Sequence, residues 1–295
     1  MEDFICGYVA VAGRPNVGKS TLVNKLVSYP LSIVSRKPQT TRHKLLGILT
    51  GEGYQAIFLD CPGLMVPKYA LQNLMVKTAW GAIEEADLLL LVAEPRPDDL
   101  SDETGILAHL KQLKKQTILA INKIDLIGKP DILPLIEFYR DLYPFAEIVP
   151  VSALKDDGLD VLKGLIVSHL PHQPPFYPPG EVTDRPQRFF VAELIRQKVF
   201  ERYGEEVPYS VAVVVEEYKE REGGKDYVKA IIVCEKPSQK AILIGRKGEA
   251  IKRLGQTARA SIEGFISKEI FLELRVEVRE NWRREERIVK QLGQT

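Results

Sequence analysis

Gly13-Arg14-Pro15-Asn16-Val17-Gly18-Lys19-Ser20 is the stretch on which the fold turns. It fits the phosphate-loop pattern GxxxxGK[ST], follows a strand-like run over 5–12, and opens into a helical pattern over 19–28. Glycines let backbone N–H groups wrap around phosphate oxygens, and the start of a helix adds positive potential at the same place. Arg14, Pro15, Asn16 and Val17 complete the loop backbone. Lys19 is expected to bridge the β- and γ-phosphates of a nucleotide, and the Ser20 hydroxyl to ligate Mg²⁺. Thr21, the next residue, is expected at the α-phosphate.

On either side of this loop, strands and helices alternate. Strand patterns lie at 5–12, 44–51, 54–60, 87–93, 116–121 and 147–151, and helical patterns at 19–28, 70–85, 101–114, 131–141 and 158–169. Runs such as LLLLVA and TILAI are almost wholly apolar, as strands buried on both faces are. The runs 44–51 and 54–60 are joined by Gly51-Glu52-Gly53, a hairpin signal. The expected fold class is therefore α/β, a mostly parallel sheet with one antiparallel strand and helices on both faces.

Other strand ends then fall into place around the loop. Asp60-Cys61-Pro62-Gly63 closes YQAIFLD, so Asp60 is expected to hold Mg²⁺ through water and the Gly63 N–H to reach the γ-phosphate. Between the phosphate loop and Asp60, Pro38-Gln39-Thr40-Thr41-Arg42-His43 offers a threonine hydroxyl to the same metal. Asn122-Lys123-Ile124-Asp125 follows TILAI. A carboxylate at position 125 can accept the two donors of guanine, N1–H and the exocyclic amine. Adenine has no such pair and would leave the carboxylate unpaired. Asn122 is expected to brace the loop, the Lys123 stem to lie along the base, and Ser152-Ala153, 27 residues beyond Asp125, to bring the Ala153 N–H to guanine O6. Leu64 stands where many GTPases carry a glutamine that orients water; leucine cannot do this, so a slow intrinsic rate is expected.

Six of the seventeen residues 170–186 are proline, which reads as a semi-stiff extended connector. The expected division is a nucleotide domain over 1–169, a linker over 170–186 and a second domain over 187–295. The formal net charge of +1 hides an asymmetry: residues 1–184 carry 18 Lys and Arg against 22 Asp and Glu, and residues 185–295 carry 23 against 18. The second part reads as helix 187–204, strands 209–219 and 226–235, helix 238–244, a turn at 245–248, helix 249–267, strand 271–279 and a terminal helix 282–291. The turn is Gly245-Arg246-Lys247-Gly248, a GXXG loop of the kind that clamps single-stranded RNA in KH modules. Lys252 and Arg253 follow it as candidate phosphate contacts, with Ile242, Ile244 and Ile251 as a candidate apolar wall for bases. Taken one at a time, those isoleucines read first as core.

GRPNVGKSTL, SRKPQTTRH, DCPG and NKID, in this order, resemble the Era family within the translation-factor-type GTPases. The resemblance covers nearly the whole chain and implies a P-loop GTPase domain followed by a type II KH-like domain. It favours Thr41 over Thr40 as the metal-binding threonine. It implies that Lys19, Thr41 and Gly63 act on the γ-phosphate of GTP, with the loops at about 31–44 and 61–72 switching between GTP and GDP states. It also implies binding to the 3′ end of 16S ribosomal RNA, a role in 30S subunit assembly, and peripheral membrane association. Asn16 either caps its loop or, as in related GTPases, helps hold K⁺ beside the phosphates.

Composition is that of an ordinary soluble globular chain, 45% hydrophobic and 27% charged. No apolar run reaches the roughly 20 residues of a membrane span and no signal peptide is expected. Cys6, Cys61 and Cys234 form no metal pattern and suit a reducing cytoplasm. A monomer is expected. The competing reading is a signalling or membrane-associated GTPase whose second domain binds protein or lipid. An enzyme acting on small molecules is disfavoured, because no acid–base or Cys/His cluster lies outside the phosphate site.

Overall fold

The computed structural model describes residues 4–35, 37–100 and 105–293. Arg36 of SRKPQTTRH and residues 101–104 of the expected helix 101–114 lie outside that set. The chain divides into two compact units, Met1–Lys68 with Gln72–Asp184, and Tyr69–Leu71 with Arg185–Thr295.

The first unit is built on strands β1 (Ile5–Ala12), β2 (Leu45–Gly51), β3 (Tyr54–Asp60), β4 (Leu88–Ala93), β5 (Thr117–Ile121) and β6 (Glu147–Pro150) in the order β2-β3-β1-β4-β5-β6. Only β2 runs antiparallel, paired with β3 through the Glu52-Gly53 turn. The apolar strands behave as expected: every residue of β4 and β5 is buried. Helices α1 (Lys19–Leu26), α2 (Ala70–Glu85), α3 (Ile106–Leu113), α4 (Lys129–Leu142) and α5 (Leu159–Ser168) connect them. Register places Val11 beside Asp60, and Ala93 beside Ile121, which in turn pairs with Pro150. The carboxyl ends of the parallel strands therefore open at one edge, where ligands of such sheets bind.

The proline-rich connector is not a free spacer. Its residues up to Asp184 fall within the first unit. Cys6 N donates to Pro171 O, Gln173 N to Phe4 O and Ile48 N to Val182 O. Gln55, wholly buried in β3, receives Phe176 N at 2.9 Å and Tyr177 N at 3.0 Å on Oε1, and donates to Tyr177 O at 2.9 Å. One buried amide thus satisfies three backbone groups of a segment whose prolines supply few donors of their own.

The second unit runs α6 (Gln187–Arg202), β7 (Ala212–Lys219), β8 (Asp226–Cys234), α7 (Pro237–Ile244), α8 (Glu249–Ile266), β9 (Ile270–Val278) and α9 (Glu286–Gln291). Its sheet has the order β7-β8-β9, with β8 antiparallel to β7 and parallel to β9. Leu254, Ala258 and Ile262, one helical turn apart on α8, are buried in the core against α6 and the sheet. Two boundaries differ from expectation by more than two residues. Pro208–Ser210 forms a 3₁₀ turn, so β7 begins at Ala212 and not at 209. The expected helix 282–291 is broken into a 3₁₀ turn at Trp282–Arg284 and the short α9. The cause is Trp282: its fully buried indole donates Nε1–H to Ser210 O at 2.8 Å, which fixes the chain before the helix can start.

Candidate functional site

Asn122 is the hub of the first site. Its Nδ2 donates to Val17 O at 2.8 Å, and its Oδ1 accepts from Ala153 N at 3.0 Å. These two bonds link the phosphate loop, the base loop and the segment after β6. The approach explains Gly18: a Cβ there would stand 2.2 Å from Asn122 Nδ2, and the residue holds φ 98° at the start of α1. The Ala153 N–H, expected to face guanine O6, is instead spent on Asn122. Lys123 donates to Asn16 O at 2.6 Å and pairs with the Glu94 carboxylate. Asp125 Oδ1 accepts from Ser152 Oγ at 2.5 Å, and the residue is exposed, open to a base from solvent. Lys19 is buried, with Nζ donating to Gly13 O at 3.2 Å and Arg14 O at 2.9 Å. Its ammonium closes the loop on itself.

The metal-binding candidates converge. Ser20 Oγ and Thr41 Oγ1 lie 2.8 Å apart, although 21 positions separate them. Thr40 turns away, its hydroxyl donating to Lys37 O at 2.8 Å. Asp60 is fully buried; Oδ2 accepts from Ser32 Oγ at 2.5 Å, while Oδ1 is buried without a hydrogen-bond partner. Burial pushes its carboxyl above the usual range, opposed by the Ser32 hydrogen bond, the nearby Ser20 hydroxyl and the charge of Lys19. These residues fit Mg²⁺. Adjacent ligands on an octahedral ion with bonds of about 2.1 Å stand about 3 Å apart, close to the hydroxyl separation seen here. An orphaned buried carboxylate oxygen is costly unless a cation or its water meets it.

Gly63 lies against the phosphate loop, where a Cβ would come 2.8 Å from Pro15 N. Leu64 N donates to Gly13 O at 3.0 Å, while the Leu64 side chain is only 2% exposed and belongs to the core. It has neither the chemistry nor the position to orient water. Thr21 continues α1, half-buried. His43 is buried. All three cysteines are free and buried, and burial, with the charge of Asp60, pushes the Cys61 thiol up to about 12. Sequence reasoning passed over Glu94 and Ser32. The first closes the apolar run LLLLVA at a strand end, a signal that could have found it; the second carries no local signal.

In the second unit, Gly245-Arg246-Lys247-Gly248 links α7 to α8. A Cβ on Gly245 would stand 2.5 Å from Ala250 Cβ, whereas Gly248 is in open space and is required by its φ of 78°. Arg246, Lys247, Lys252 and Arg253 are all exposed. A groove of about 300 Å³ lies between α8 and β9, lined among others by Ile251, Lys252, Arg259 and Phe271. The expected isoleucine wall is only partly realised. Ile251 lines the groove, Ile244 packs against the core, and Ile242 is half exposed outside the lining. The wall is completed from β9 by Phe271, Leu272 and Leu274. Phe271 is 57% exposed and stacks on Tyr227 with ring centroids 6.0 Å apart.

Comparison with known proteins sets this geometry in context. Residues 8–123 match the family model of the 50S ribosome-binding GTPase, and residues 206–283 that of the KH domain. A GTPase Era of Geotalea daltonii is 44% identical over 292 residues, 99% of this chain and 98% of the relative. That of Geobacter metallireducens is 44% identical over 295 residues, 100% and 99% of the two chains. Among solved structures, an Aquifex aeolicus Era variant bound to GDP and aluminium fluoride superimposes with a TM-score of 0.93 at 38% identity, covering 99% of this chain and 100% of that one. An Era in complex with MgGDPNP and nucleotides 1506–1542 of 16S ribosomal RNA gives a TM-score of 0.95 at 38% identity, covering 99% of each.

Proposed function

This chain belongs to the Era family of GTPases, and from that premise we propose that it is a GTP-hydrolysing switch that binds the 3′ end of 16S ribosomal RNA in small-subunit assembly. The observation that carries the reading is the Asn122 brace, which makes base selection and phosphate binding parts of one hydrogen-bonded unit. Asp125 accepts the two guanine donors, and Ser152 holds its other face. Lys19 and the backbone N–H groups of Gly13, Arg14, Asn16, Val17 and Gly18 place positive charge on the phosphates, while Pro15, which has no N–H, shapes the loop. Ser20, Thr41 and Asp60 hold Mg²⁺, which neutralises charge between the β- and γ-phosphates when bound. Thr41 and Gly63 report the γ-phosphate through their loops.

With Leu64 in the core, attacking water is placed by switch backbone or by a partner, and intrinsic turnover is slow. Asn16 offers a K⁺ beside the phosphates. The GXXG loop and the basic start of α8 grip the RNA backbone, while the α8–β9 groove takes unstacked bases. Work on the 30S particle as a monomer, in the cytoplasm with peripheral contact to the membrane, is the finer form of this proposal and rests on the family resemblance. Among the described residues no helix is long and apolar enough to cross a membrane.

Fluorescence anisotropy with a labelled single-stranded 16S 3′ tail tests the coupling. The GTP-analogue form is expected to bind more tightly than the GDP form, and Gly245→Asp with Gly248→Asp to abolish binding while nucleotide affinity holds. Equal affinity in the two nucleotide states removes the coupling. Undiminished RNA binding by the double variant favours a protein- or lipid-binding second domain.

A further inference from the structure

A hydroxyl outside the set expected to bind metal holds the buried carboxylate of the first unit. Ser32 is 5% exposed and donates Oγ–H to Asp60 Oδ2 at 2.5 Å. It does not reach Asp60 by chance of rotamer. Asn24, on α1, clamps its backbone from both sides: Nδ2 donates to Ser32 O at 2.8 Å, and Oδ1 accepts from Ser32 N at 2.9 Å. The clamp fixes where the residue sits, and the hydroxyl fixes which way the carboxylate turns. With Oδ2 held, Oδ1 is left as the oxygen without a partner, in a carboxylate that also feels the Ser20 hydroxyl and the Lys19 ammonium.

We propose that Ser32, held by Asn24, is a positioning residue for the Mg²⁺ site: it orients Asp60 so that Oδ1 presents to the metal's water shell. This rests on the Mg²⁺–nucleotide reading of Ser20, Thr41 and Asp60 given above. Groups hydrogen-bonded to metal-site carboxylates set their geometry, and losing one typically lowers metal affinity about 10–100-fold. The arrangement also divides labour along the 31–44 segment. Thr41 meets Ser20 by a hydroxyl contact that a nucleotide state can make or release. Ser32 is tied to α1 through the bonds of its own backbone to Asn24. The segment therefore has a fixed end at Ser32 and a switching end at Thr41, and the carboxylate is oriented in both states.

The full chain loaded with a fluorescent GDP tests this by the rate of GDP release during a Mg²⁺ titration and in EDTA. Ser32→Ala is expected to raise the Mg²⁺ concentration at half-effect about tenfold. The release rate in EDTA stays at the parent value, because the hydroxyl acts on the metal site and not on the nucleotide. Asn24→Asp keeps the acceptor for Ser32 N but sets a carboxylate oxygen against Ser32 O, loosening the clamp, and is expected to shift the Mg²⁺ midpoint in the same direction; it carries the test if Ser32→Ala does not fold. An unchanged midpoint overturns the proposal, as does a matching acceleration in EDTA, which would make Ser32 a general support of the loop. A parent protein whose GDP release ignores Mg²⁺ would instead sink the underlying metal reading.

Discussion

The two units use the same device to opposite ends. In each, a glycine in the left-handed region opens a helix with no side-chain cap: Gly18 before α1 and Gly248 before α8. Each leaves the first N–H groups of the helix available to an anion. What surrounds them differs. Around Gly18 the polar groups are buried and committed to one another, with Asn122 on Val17, Lys19 on Gly13 and Asp60 on Ser32. Around Gly248 they are exposed, with Arg246, Lys247, Lys252 and Arg253 all facing solvent. A site that must choose one purine has its polar groups ordered beforehand, so that a wrong base leaves a partner unsatisfied. A site that holds a charged strand needs only charge that can follow it.

The contrast breaks most visibly at Asp125. Asp125→Asn keeps an acceptor for the Ser152 hydroxyl and for N1–H, but presents an amide N–H₂ to the amino group of guanine. Guanine nucleotide affinity is expected to fall by about 10³-fold or more, because two donors then face each other. Xanthine carries a carbonyl at that position, so xanthosine diphosphate should regain much of the loss. Calorimetry with the two nucleotides checks this, and equal weakening of both would remove Asp125 from base selection.

Asp60 sharpens the contrast in another currency, stability. Burial raises its carboxyl pKa, so the folded metal-free chain holds a proton that the unfolded chain has released. Asp60 therefore imposes no penalty below the ordinary carboxylate range. The penalty grows as pH rises toward the elevated folded value, and it is complete above that. In EDTA at neutral pH, Asp60→Asn should melt higher by about 2–6 °C, taking an orphaned buried group at about 1–3 kcal/mol. The gain should vanish near pH 4 and below, and Mg²⁺ with GDP should stabilise the parent more than the variant. A variant that melts lower at neutral pH would show the carboxylate is better satisfied than its lone Oδ1 implies.

Much of this was legible because the residues that speak are neighbours in sequence. Gly13 to Ser20 needed only a strand before and a helix after. The apolar runs of β4 and β5 announced burial on both faces. What stayed hidden depends on partners far along the chain. Gln55 reads as one polar residue in a strand, and only the fold brings Phe176 and Tyr177, more than 120 positions away, to its amide. Ser32 and Glu94 each answer to a group made important by another segment. The groove wall was sought in the helices beside the GXXG loop, but most of its apolar part comes from β9, because parallel pairing with β8 carries Phe271 beside Tyr227. Trp282 broke a helix that its charged neighbours favoured, since one buried indole outweighs the propensity of a few exposed residues.

The smallest expected effect tests the open side of the comparison. Lys252 is exposed on the first turn of α8 and lines the groove beside Ile251. If it meets a phosphate and reads no base, Lys252→Ala should weaken all single-stranded RNAs alike, by roughly threefold at moderate salt. The slope of log affinity against log salt should become shallower by about 0.7, the share of one neutralised phosphate on a single strand. A loss confined to one RNA sequence would mean that the amine contacts a base edge. An unchanged slope would place Lys252 outside the RNA path, leaving Arg246, Lys247 and Arg253 to supply the charge that the glycine-opened helix start cannot supply alone.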